Sequence, residues 1–146
     1  MMYENLQYKH ITDLSILYQD AFNAPPWNDQ WTLESASKRL MQMLKCDGFY
    51  GLVSYKNNKI VGMILGNHEY FYDGVHFNIK EFCVDINLRG NGFGSALLNE
   101  FLIRLRNNGI DEAILFTSRT NGTEDFYNKH GFKSFNTMVM MGRKLK

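Results

Sequence analysis

The sequence predicts an α/β (α+β) fold, a mixed and mostly antiparallel sheet covered by helices on both faces. Three observations lead there. Apolar residues recur at helical spacing in some segments and fill strand-type runs in others. The strands in the middle of the chain are separated only by short turns, which forces them antiparallel. Later, residues Glu81 to Phe116 read strand, helix, strand, so those two strands must lie parallel.

The elements follow in order from a short strand in "MMYENLQYKH". "ITDLSILYQDAF" carries Ile11, Leu14, Leu17, Tyr18 and Ala21 on one helical face, with Thr12 or Asp13 near its start. "NAPPWNDQWT" breaks that helix, because a residue before proline avoids helical dihedrals. Thr32 caps a second helix, "LESASKRLMQMLK", whose Glu34 and Ser35 fall short of a full capping box. "FYGLVSYK", the turn "NNK" and "IVGMILGNHEY" form a hairpin. After the turn "YDG" comes the strand "VHFNIKEFCVDI". Phe93, Leu97, Leu98, Phe101, Leu102 and Leu105 then make one apolar helical stripe, and Gly109 stops it. "DEAILFTS" is a buried-type strand, "NGTEDFYNKH" a short helix stopped by Gly131, and "FKSFNTMVMMGRKL" one or two closing strands.

The 146 residues fit one domain, expected to span 1–146, and are 45% hydrophobic and 21% charged, a globular balance. A net charge of +1 excludes bulk attraction to nucleic acid or to a membrane surface. No apolar run is long enough to cross a bilayer. Cys46 and Cys83 match no zinc or redox spacing, and His10, His68, His76 and His130 show no metal-ligand pattern, so no metal is expected. These features lead us to expect a soluble, cytoplasmic protein with reduced thiols, monomeric or homodimeric.

"LRGNGFGSALL" places Gly90, Gly92 and Gly94 at the mouth of a helix. Glycine lets the backbone turn sharply and approach another object, and a helix start offers N–H groups and partial positive charge. Both suit a phosphate. The segment lacks the Gly-Lys-Ser/Thr of a Walker loop and the third glycine of a dinucleotide fingerprint. Taken alone, the glycines fit equally a tight strand-to-helix turn that binds nothing.

Two motifs together resemble the GNAT superfamily of N-acetyltransferases. Arg89, Gly92 and Gly94 match its acetyl-CoA motif, an Arg or Gln, two residues, Gly, one residue, then Gly or Ala. Tyr127, Gly131 and Phe132 match its later Tyr and Gly-Phe motif. The resemblance implies a six- to seven-stranded sheet with about four helices, splayed at the cofactor strand. It implies that Arg89, Gly90, Asn91, Gly92, Phe93, Gly94 and Ser95 hold the pyrophosphate of acetyl-CoA. Backbone groups of Phe82, Cys83 and Val84 would meet the pantetheine, with Ser118 and Asn121 near its end. Asn121 stands one residue nearer Tyr127 than the family's asparagine usually does.

The implied chemistry is direct attack of an amine on the thioester. Tyr127 would protonate the departing thiolate. Glu81, on the strand entering the glycine loop, is the leading base, because "LFTSRTN" has no carboxylate. Asp85, Glu69, Asp73 and His76 are outside candidates, and a water relay needs no dedicated base. Trp27 and Trp31 in the loop between the first helices would bound the acceptor, or else plug the sheet. Asn28 and Asp29 would meet a cationic substrate or merely cap the second helix. The expected function is transfer of an acetyl group to a primary amine of a small molecule. Acetylation of a protein or peptide, or a non-catalytic acyl-CoA-binding module, are the alternatives.

Overall fold

The computed structural model describes residues 1–146. The chain divides into two compact units, Met1–Phe116 and Thr117–Lys146. The first holds β1 (Met2–Asn5), α1 (Ile11–Asn23), α2 (Leu33–Leu44), β2 (Phe49–Lys56), β3 (Lys59–Phe71), β4 (Gly74–Val84), α3 (Phe93–Asn107) and β5 (Glu112–Leu115). The second holds α4 (Thr123–Lys129).

The five strands lie in the order β1-β2-β3-β4-β5. The first three pairings are antiparallel, and β4–β5 is parallel, as a strand-helix-strand unit requires. The sheet is mixed as predicted, but it has five strands and not six or seven. The difference lies in "FKSFNTMVMMGRKL", which forms no strand. Its apolar residues do not alternate, so a strand there would have no buried face, and Met138, Val139, Met140 and Met141 are exposed.

Two layers of helix cover the sheet. On one face Leu14, Tyr18 and Ala21 of α1 and Ala36 and Leu40 of α2 pack with Val53, Met63, Leu65 and Cys83. On the other, Leu97, Leu98, Phe101 and Leu105 of α3 are buried. The Phe101 ring takes the edge of Phe77 at 5.4 Å and stacks on Tyr50 at 5.5 Å. Burial of such side chains contributes about 1.5–3 kcal/mol each. Phe93 and Leu102 of the same stripe are only half-buried.

Helix ends are better defined than sequence alone implies. Thr32 Oγ1 accepts from the Ser35 N–H at 3.0 Å and Ser35 Oγ accepts from the Thr32 N–H at 2.9 Å, a complete capping box. α1 begins at Ile11, so Asp13 lies in its first turn and neither it nor Thr12 is the cap. α3 ends in a paired stop: the Ile110 N–H bonds the Leu105 carbonyl, and the Gly109 N–H bonds that of Arg106. Gly109 adopts the left-handed conformation this stop needs.

β4 contains one irregularity that decides the site. Leu65 faces Glu81, but the next residue, Gly66, faces Ile79, so Lys80 is an extra residue in the ladder. Residues four apart in a regular strand share a face. Here Phe77 meets Phe101 of α3, whereas Glu81 meets α1 and α2. The bulge has rotated the strand between them. It requires Gly66, because a Cβ there would lie 1.8 Å from the Asn78 carbonyl oxygen.

Candidate active site

The glycine loop leads from β4 into α3. Gly90 and Gly92 have φ of 80° and 83°, left-handed values that disfavour any side chain. A Cβ at either would meet nothing within 4 Å. Their glycine character is therefore not imposed by packing; it serves the turn and leaves space beside it. Gly92 caps α3, and its carbonyl accepts the Ala96 N–H, so the first-turn N–H groups gather at the glycine loop, as at any helix start. Gly94 is already helical. Asn91 is exposed and bonds back within the loop, its Nδ2 donating to the Leu88 carbonyl at 3.2 Å.

The Arg89 side chain is engaged elsewhere. Its guanidinium donates to the carbonyls of Pro25 at 2.7 Å and Ala21 at 2.8 Å. It thus neutralises the negative end of α1 and ties the α1–α2 loop to the glycine loop. Lys56, which sequence reasoning did not single out, holds its Nζ 5.1 Å from the centre of the Phe93 ring at the start of α3.

β4 supplies the second element. β5 pairs with β4 only from His76 to Ile79. Beyond the bulge, Phe82, Cys83 and Val84 pair with β3 alone. The β4–β5 ladder therefore ends at the bulge, and β5 does not follow β4 to the glycine loop, the splay expected at this strand. Burial pushes the Cys83 thiol well above the usual range, with the Glu81 charge adding to it and Arg89 opposing, which favours the protonated thiol.

Glu81 is 8% exposed and belongs to a polar cluster on the α1/α2 face. The Arg39 Nε donates to its Oε1 at 2.5 Å and the Tyr18 hydroxyl donates to the same oxygen at 3.1 Å. Burial raises the Glu81 pKa from the ordinary carboxylate value; Arg39 and the Tyr18 hydroxyl oppose that rise, and the Asp29 charge adds to it. The Tyr18 hydroxyl is pushed upward by burial and by the Glu81 charge.

The aromatic loop joins this cluster. The Trp31 ring lies edge-on to Tyr18 at 4.9 Å, and its Nε1 donates to Asp29 Oδ2 at 3.0 Å. Trp27 packs on Phe22 at 6.1 Å, and Phe22 on Tyr18 at 4.7 Å. Both indoles are partly buried, and Trp31 packs against the core under α1 and α2. Trp27, Trp31, Asp29 and Glu81 thus form one contiguous group through Tyr18. Tyr18 and Arg39 were missed as site residues. Arg39 carried a usable signal, a charged residue between the core positions Ala36 and Leu40 of α2.

The other acidic candidates lie elsewhere. Asp85 accepts the Asn87 N–H and shapes a turn. Glu69, Asp73 and His76 sit toward the β3–β4 turn, at the opposite end of β4 from the glycine loop. There Glu69 accepts from Asn78 and His76 stacks on Phe71.

In the second unit, the Tyr127, Gly131 and Phe132 spacing has a local cause. Gly131 is left-handed at φ 87°, its N–H bonds the Asn128 carbonyl, and the Phe132 N–H bonds the Tyr127 carbonyl at 3.0 Å. This is a Schellman stop, and the Tyr127–Phe132 ring contact at 5.5 Å is its apolar clasp. Ser118 Oγ pairs with Thr120 Oγ1, and Asn121 Oδ1 accepts from Thr120.

The profile of the Acetyltransferase (GNAT) family matches residues 11–132. Several solved structures share the fold. An aminoglycoside acetyltransferase from an uncultured soil metagenomic sample, in complex with sisomicin, is 20% identical with a TM-score of 0.75, covering 99% of this chain and 96% of its own. A possible acetyltransferase from Clostridium difficile 630 is 13% identical with a TM-score of 0.84, covering 99% and 97%. A ribosomal-protein-alanine N-acetyltransferase from Brucella melitensis biovar Abortus 2308 is 11% identical with a TM-score of 0.77, covering 99% and 100%. No curated protein matches the chain significantly. Since the profile spans most of the sequence and ends on the Gly-Phe pair of the α4 stop, the chain belongs to the GNAT family of acetyltransferases.

Proposed function

We infer that this protein transfers an acetyl group from acetyl-CoA to the primary amine of a small molecule, as one N-acetyltransferase domain over residues 1–146. The observation that carries the reading is a strand, β4, that parts from β5 at its bulge and runs into two left-handed glycines with free space beside them at a helix start. That arrangement fits acetyl-CoA. N–H groups at the start of α3, from Gly92 to Ser95, would hold its pyrophosphate, with Arg89 to Asn91 shaping the turn. The backbone of Phe82, Cys83 and Val84 would take its amide-bearing arm as an added strand, and Asn121 would contact the same arm.

When bound, acetyl-CoA supplies the activated acyl group. The chain supplies the rest. Glu81 takes the amine proton, directly or through water, and Tyr127 gives a proton to the thiolate. Trp27 and Trp31 bound the acceptor, whose positive charge is drawn to Asp29 and Glu81. The aminoglycoside acetyltransferase with a similar fold supports a small amine as acceptor.

A thiol-release assay against small amines and peptide N-termini tests the reading. Small amines should turn over, and Trp27→Ala should raise their KM several-fold while sparing that for acetyl-CoA. Turnover of peptides alone would reassign the acceptor. Acetyl-CoA binding without turnover of any amine would leave a binding module.

A further inference from the structure

Arg39 does not hold Glu81 in the usual way. A guanidinium facing a carboxylate commonly donates two parallel hydrogen bonds, one to each oxygen. Here Arg39 donates through Nε alone, and to Oε1 alone. Tyr18, from a different helix, donates to that same oxygen. Oε2 takes no partner. Every fully buried side-chain nitrogen and oxygen has one, so Oε2 keeps contact with solvent although Glu81 as a whole is buried.

The two oxygens therefore have different tasks. Oε1 is fixed from α1 and α2 at once. Oε2 is left for a proton. We propose that Arg39 is a positioning residue, which clamps Oε1 of Glu81 and keeps this buried carboxylate ionised with Oε2 open as the proton acceptor. The proposal rests on reading Glu81 as the base. Without a cation beside it, a buried carboxylate protonates near neutral pH and can no longer accept. Four ionisable groups bear on Glu81: Tyr18 from α1, Arg39 from α2, Asp29 from the loop between them and the Cys83 thiol on β4. Arg39 is the only cation among them. Its guanidinium is about one-third exposed, so it bridges the buried oxygen and water. Arg39 also lies outside the glycine loop, so its loss leaves the acetyl-CoA elements untouched.

The test is a carbon-13 NMR titration of the Glu81 side-chain carboxyl, its signal assigned by loss in Glu81→Gln. In Arg39→Met the midpoint should rise by about 1–3 pH units. Arg39→Lys should restore most of the wild-type value. Tyr18→Phe should raise it by less, and it provides a second variant should Arg39→Met fold poorly. The acid limb of the kcat/KM profile should move with the NMR midpoint. An unmoved midpoint in Arg39→Met and Tyr18→Phe overturns the role of Arg39 regardless of catalysis. A moved midpoint with an unmoved acid limb overturns Glu81 as the base, and with it the catalytic part of the proposal.

Discussion

At the scale of single residues, positions that backbone geometry demands coincide with positions where the proposed ligand would lie. Gly92 is left-handed and borders empty space. Gly92→Val should cost about 1–2 kcal/mol of stability from strain, yet weaken acetyl-CoA binding more than tenfold by calorimetry. Gly94→Val, at a helical position, should weaken binding with less loss of stability. Wild-type affinity in both variants would remove the pyrophosphate from this loop. Tyr127→Phe keeps the clasp on Phe132 and loses only the hydroxyl. It should lower kcat by about 100- to 10,000-fold where chemistry is rate-limiting, with acetyl-CoA affinity little changed. These glycines and the Tyr127 motif were legible in sequence because each is a local backbone device. Arg39 and Tyr18 were not, since they reach Glu81 across 42 and 63 residues of chain. No short-range pattern encodes such a meeting.

At the scale of elements, β4 carries the most information. Its period-2 pattern is readable on either side of Lys80, but the shift between them is not, because a bulge changes the phase without changing the residue types. Gly66 is its silent counterpart on β3. Gly66→Ala would drive a methyl into the Asn78 carbonyl, a backbone atom that cannot step aside. We expect a loss of about 3 kcal/mol or more in chemical denaturation, against about 1 kcal/mol or less for an alanine at an ordinary strand glycine. Helix limits were legible from Thr32, Gly109 and Gly131. The closing strands expected in "FKSFNTMVMMGRKL" are absent, because Met138 to Met141 offer no alternation for a sheet to bury.

At the scale of the whole molecule, the sheet separates two apolar layers, one under α1 and α2 and one under α3. Composition indicated a core of this size but could not assign residues to layers. The two thiols report on it. Cys46 is exposed and Cys83 is buried with its pKa raised. An aromatic disulfide reagent should titrate one thiol rapidly in the native protein at pH 8 and the second only on unfolding. Fast reaction of both would mean that the α1/α2 layer opens readily. No helix is long and apolar enough to cross a membrane.

The bulge at Lys80 has an arithmetic that substitutions do not reveal. Removing Lys80 would leave Ile79 opposite Gly66 and Glu81 opposite Leu65, the partners they already have. Each side chain would keep its face, so both core layers should survive the shortened chain. What would vanish is the local bend that a bulge imparts. A one-residue deletion should therefore yield a folded protein with nearly the parent's thermal midpoint, whose straightened β4 runs on beside β5 and has lost acetyl-CoA affinity. Insertions and deletions are usually tolerated in loops and ruinous in strands; at this strand position the fold is indifferent to the missing residue, and the cleft is not.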